Sequence, residues 1–386
     1  MSRFPLFALT LFALTASGCS RDVLRPVDAP PAGDTRQVAK IPHIDRTELD
    51  QMLQQAMMPD GWLAVIGEGR KMVEVPDGSV DALADAIAMA GPNGVVLLKA
   101  GTHTETGTVQ IPFRVHLVGE EGAELVTSAG GLENVEPTPT VPALHVLANY
   151  VQIQNITFRP ASGDGNTAIL IDGANHTTLF RNRMAGYQFG IIVARGDHSR
   201  IWSNTIVTHG GWQTGAIGNA FGITLVNGSY ASVMENDVTN SLFGIWSCGD
   251  RGTLAFNRAS ANFIGVTFCT VPAGALQLPD GSFIGADVSC RNWVAVHNRT
   301  TQNLNVGFLV IDNANNNTIA DNESSDNGSY DIELTGDTFR FGFLTPASFD
   351  NTFIAGAYTD IEVKDCGNNN TIIGGTLVDN NLEPCN

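Results

Sequence analysis

Leu179-Phe180-Arg181-Asn182, Ile201-Trp202-Ser203-Asn204 and Val233-Met234-Glu235-Asn236 are one signal met three times, an apolar residue followed three positions later by asparagine. The signal continues at Leu254 with Asn257, Ala295 with Asn298 and Ile319 with Asn322, so successive asparagines lie 22, 32, 21, 41 and 24 residues apart. A unit of about 22 residues therefore repeats, and two units carry insertions of about ten and twenty residues. A second column keeps step with the first: Phe189-Gly190, Phe221-Gly222, Phe243-Gly244, Ile264-Gly265 and Val306-Gly307. After each glycine, apolar residues alternate, as in Ile191 and Val193, Ile223 and Leu225, and Val266 and Phe268. Period two marks a strand with one face inward. Asparagine suits the turn because it tolerates the left-handed conformation and its amide can bond to the copies above and below. A leucine-rich repeat of similar period would need leucine at most inward positions, where Ile, Val and Phe stand here. The expectation is an all-β solenoid of about ten coils, three short strands to a coil.

Composition agrees. The chain has 386 residues, with 41 Gly and only four Lys, which favours short strands and tight turns over long helices. The net charge of −18 argues against nucleic acid as a partner and against polyanionic glycans unless a divalent cation bridges them.

The N-terminus reads as an export signal over residues 1–18. Arg3 precedes the apolar run Phe4–Ala16, and Ala16-Ser17-Gly18-Cys19 resembles a lipobox, with Cys19 as the lipidated residue. Ser20, rather than Asp, follows it, which resembles an outer-membrane lipoprotein. Residues 19–45 form a polar tether, and 46–74 a short helical N-terminal segment opened by Asp45 and Glu48. Ser79 is placed to cap a helix carrying Val80, Leu83 and Ile87 on one face, closed by Gly91, and the repeat occupies 75–378 with a tail over 379–386. The protein is expected in the outer membrane or cell envelope, as a monomer touching membrane through its lipid alone.

The columns and the opening helix resemble the PbH1 repeats of the pectin-lyase-like superfamily. The resemblance implies a right-handed parallel β-helix with an N-terminal capping helix, the fold of pectate lyases, polygalacturonases, mannuronan epimerases and NosD-like proteins. It covers roughly residues 75–378. The signatures of its enzymes are absent; His209-Gly210-Gly211 and Arg200-Ile201-Trp202 are partial echoes of polygalacturonase motifs. The fold alone leaves the chemistry open. Two functions stand side by side. One is a polysaccharide-binding envelope protein that modifies its ligand as a lyase or epimerase would; the other is a non-catalytic accessory scaffold of NosD-like type.

The register selects candidates on the strand the family calls PB1. Two residues past each glycine the outward column reads Ile192, Thr224, Trp246, Thr267 and Leu309, with no acid before Glu333. The insertions at about 208–219 and 270–291 flank PB1 near Trp246. Trp246 and Trp212 are expected to form the floor and wall of a sugar cleft, with His209, Thr224 and Thr267 beside them. For catalysis, Asp250, Asp287 or His198 would accept a proton, and Arg251 or Arg195 would hold a carboxylate. No metal-ligand set is legible; calcium is the cofactor that a uronate ligand would bring on so acidic a chain. Two disulfides are expected, Cys269–Cys290 at the foot of the longer insertion and Cys366–Cys385 over the last coil. Cys248–Cys269 is an alternative, since Cys248 lies one repeat before Cys269.

Overall fold

The computed structural model describes residues 70–135, 137–216, 218–269, 276–284, 289–340, 343–379 and 385. Cys19, the tether, the expected first helix and Asp287 lie outside the described residues. The repeats contribute strands to three sheets, of 12, 9 and 11 strands among the described residues, every pairing in them parallel. The inward column of PB1, the 11-stranded sheet, runs through Ile169, Ile191, Ile223, Ile245, Val266, Phe308 and Ile332, all buried in one continuous core. Stacking like on like at each coil lets a 22-residue unit bury its apolar face only against its neighbours.

The asparagine column is a hydrogen-bond ladder. The amides of Asn182, Asn204, Asn236, Asn257 and Asn298 each donate to the carbonyl oxygen of the next column asparagine, ending on Asn322, at 2.9 to 3.1 Å. The same oxygen accepts the backbone N–H of the asparagine before it. The other amide hydrogen reaches a backbone carbonyl one coil back, as from Asn204 to Leu179. The residues preceding the asparagines, Arg181, Ser203, Glu235, Phe256, His297 and Asp321, take φ between 49° and 56°. Two further ladders, Asn262–Asn303–Asn327 and Asn317–Asn351–Asn370, serve the other turns.

The capping helix spans Leu83–Ala90 and ends at Gly91, but Ser79 does not cap it. The Ser79 hydroxyl donates to the Pro76 carbonyl, Val80 is exposed, and Val80 bridges to Thr104. The buried Glu105 carboxylate accepts the Leu83 N–H at 2.8 Å instead, supplied by a strand distant in sequence. The parallel stack begins at Met72–Val75, which pairs with Val95–Leu98, a few residues before the helical segment was expected to end.

The longer insertion folds back as an antiparallel hairpin, Leu276–Gln277 against Phe283–Ile284, and also pairs with Thr138–Pro139. Cys366 and Cys385 are bonded as expected. Cys269–Cys290 is a correction: the two are not bonded to each other and lie on different sides of the sheet, Cys269 in the cluster outside PB1 and Cys290 in the solenoid core.

Candidate functional site

The outward PB1 column has the expected register. Ile192 pairs with Thr224, Thr224 with Trp246, Trp246 with Thr267, Thr267 with Leu309 and Leu309 with Glu333. The column is roofed, however. Trp246 is only 8% exposed and Thr224 and Thr267 are buried. Trp246 packs edge-on to Phe221, with ring centres 4.8 Å apart, and against Phe243 at 4.6 Å, in one cluster with Leu276, Leu278 and Ile284 of the hairpin. An outward face made of Leu170, Ile192, Trp246 and Leu309 exposes too much apolar surface to stay wet, and the insertion covers it. The expectation of a cleft floored by Trp246 is therefore corrected. Trp212 forms no wall of it: it is 3% exposed, lies edge-on to Phe263, and its indole N–H donates to the Asn240 carbonyl at 2.8 Å. His209 turns to Asp164, 2.8 Å away.

The expected catalytic residues fall in two places. His198 belongs to an external stack, Tyr150–His176–His198–Tyr230, with ring centres 4.6, 4.7 and 4.9 Å apart and planes within 3 to 6° of parallel. Each ring sits on the left-handed residue of a turn, so the coil repeat stacks them. Arg114 and Arg251 cover the two ends, 5.5 and 5.6 Å from the Tyr150 and Tyr230 ring centres. The ring faces are thus used within the stack, although Tyr150 and Tyr230 themselves stay about half exposed. Asp250 is tied to this edge by Asn292 at 2.7 Å, Arg291 at 3.4 Å and Arg251 at 3.8 Å, while Arg251 donates to the Tyr230 hydroxyl. These contacts hold successive coils together, and they occupy the Asp250 carboxylate that was expected to take a proton.

Arg195 lies elsewhere, at the end of a PB1 strand. Its guanidinium donates to Asp172 Oδ1 at 2.6 Å. Asp172 Oδ2 faces His145 Nε2 at 3.5 Å, too long for a full hydrogen bond, and that nitrogen is buried with no other partner among the described residues. His145 pairs with Leu170, so it belongs to the outward column one coil before it, and Asp172 stands two residues past Leu170 on the same face. Asp280 lies at the hairpin tip, its carboxylate accepting from the Ser282 hydroxyl and backbone N–H. Beside it a groove of about 380 Å³ runs between Thr108, Pro142, Gln277 and Pro279.

No protein-family model matches the chain, and no curated protein matches it. Among solved structures the chain is similar to the Dettilon tailspike protein gp208, at 16% identity and a TM-score of 0.54 over 81% of this chain. The chain is a right-handed parallel β-helix. It matches 63% of the tailspike's length. Weaker likenesses include the A-module of the Azotobacter vinelandii mannuronan C-5 epimerase AlgE4, at 12% identity and TM-score 0.44 over 79% of this chain and 95% of that one. A Yersinia enterocolitica family 28 exopolygalacturonase gives 11% and 0.46 over 80% and 76%.

In this β-helix the His145–Asp172–Arg195 group is a charged cluster on a largely apolar outward face. Burial pushes the Asp172 carboxyl up, but His145 and Arg195 outweigh it and hold it below the usual carboxylate range. Asp172 is 11% exposed and Arg195 50%, so a fixed acceptor stands next to a reachable donor fork. The Asp280 carboxylate is likewise held low, by the Ser282 hydroxyl and backbone N–H. Such an arrangement can accept from and donate to neighbouring hydroxyls, or bind a carboxylate through the guanidinium. Sequence reasoning found Arg195 and missed His145 and Asp172. Extending the outward column two repeats further toward the N-terminus, from Ile192 to Leu170 and then His145, would have found them.

Proposed function

We propose that this β-helix is an envelope-tethered protein that binds a polysaccharide at His145, Asp172 and Arg195. The observation that carries the reading is the His145 imidazole, buried on the outer face of PB1 with its Nε2 only loosely partnered, 3.5 Å from the Asp172 carboxylate that Arg195 also pairs. A buried polar atom held at that length is under-satisfied, and a ligand hydroxyl reaching it would relieve the cost. The guanidinium supplies the local positive charge that a uronate needs on a chain of net charge −18. Calcium is an optional bridge in the same role. The tether rests on the lipobox-like Ala16-Ser17-Gly18-Cys19. A scaffold reading draws its support from the roof over Trp246, which removes the most obvious sugar platform.

The test is calorimetric titration of the mature protein with uronate and neutral oligosaccharides, with and without calcium. Binding of one class, weakened tenfold or more by Arg195→Ala or His145→Ala, is expected. Binding that both variants leave unchanged overturns the placement, and no binding by any oligosaccharide returns the protein to the scaffold reading. New ultraviolet absorbance from an unsaturated product during the titration would extend the reading to a lyase.

A further inference from the structure

Cys248 and Cys269 lie one above the other beneath the hairpin roof. Ser247 pairs with Phe268, so the two cysteines that follow are neighbours on adjacent PB1 strands, and their sulfurs are 3.8 Å apart. Strands of one sheet are spaced about 4.8 Å apart, which falls inside the range of about 4.4 to 6.8 Å between Cα atoms that a disulfide spans. Both thiols face the outer apolar cluster, and the Trp246 indole N–H points at the Cys269 sulfur. The bonded Cys366–Cys385 pair at the other end of the solenoid is the mark of an oxidising compartment.

We infer that Cys248 and Cys269 form a second disulfide, joining consecutive coils at the foot of the 270–289 excursion. Each thiol loses its proton, the S–S bond forms, and two electrons pass to a disulfide-bearing oxidoreductase, which leaves as a dithiol. The bond closes before the roof does. In the folded chain both sulfurs are buried beneath the roof, out of reach of an oxidoreductase, and burial also pushes the Cys269 thiol well above its ordinary value. Closing at that stage fixes two coils in register while the excursion between Cys269 and Cys290 is still free to fold back. Cys290 remains a thiol in the core. The inference stands on the two disulfide sites alone, and its failure leaves the proposal for His145, Asp172 and Arg195 untouched.

The test is mass mapping of the full chain, purified from the envelope without reductant, denatured and alkylated before digestion. Trypsin parts Cys248 from Cys269 at Arg251 and Arg258 but leaves Cys269 and Cys290 in one peptide; cleavage at Asp280 parts those two. The expected result is a Cys248–Cys269 linked peptide, a Cys366–Cys385 linked peptide and Cys290 alkylated. Cys290→Ser should keep the first link, and Cys248→Ser should leave Cys269 alkylated only after denaturation. A link from Cys290 to either partner, or Cys248 and Cys269 both alkylated without reduction, overturns the inference.

Discussion

Arg70 Nη1 lies 2.9 Å from His116 Nε2, so the buried imidazole accepts a hydrogen bond and must be neutral. Burial, then Arg70 and Arg114, push His116 down from an ordinary 6.5 to about 4. Between those values the unfolded chain takes up a proton that the folded chain refuses, so stability is full above pH 6.5 and falls as pH drops toward 4. The loss attributable to His116 is about 3 kcal/mol. Urea denaturation of wild type and His116→Gln across that window should show the wild type losing stability more steeply; parallel curves would remove the assignment. At this scale the sequence tells what a residue is and misses what lies over it. Trp246 was correctly placed on the outward face by register alone. Its burial depends on Leu276, Leu278 and Ile284, about 30 or more residues away, whose fold-back no local pattern announces.

Among the elements, the asparagine ladder is where local pattern and global fold coincide. Asn257 Oδ1 accepts from the N–H and amide of Asn236, and its own amide donates to Asn298 and to the Val233 carbonyl. Asn257→Ala strands these groups in a dry interior and should cost about 3 kcal/mol. Thermal or denaturant unfolding measures it, and a cost below about 1 kcal/mol would mean the ladder is ornament. The strands and this turn were legible because the same residue type recurs at the same point of each coil. The hairpin at 276–284 was legible only as extra length. The Glu105 cap of the Leu83–Ala90 helix was not legible at all, because its carboxylate comes from 22 residues downstream of the N–H it accepts. The two later ladders begin part-way along the solenoid, so fewer copies exist to betray them.

Among the described residues the parallel strands from Met72 to Leu377 form one continuous stack of coils, and the lipobox-like Ala16-Ser17-Gly18-Cys19 motivates an anchor for it. Cys19→Ala should release the protein from the membrane fraction or leave its signal uncut; a variant that fractionates with membranes as wild type does would refute the anchor. Fold and register were open to sequence reading because both are periodic. The candidate site breaks the period: it draws His145, Asp172 and Arg195 from three successive coils. Only the third dimension brings them together. Their joint role is tested most directly by a crystal structure of the protein soaked with the tightest-binding oligosaccharide. Sugar density is expected against the Arg195 guanidinium and the His145–Asp172 pair, with the Trp246 roof still closed. Density along an opened Trp246 face, or against the Tyr150–Tyr230 stack, would contradict it.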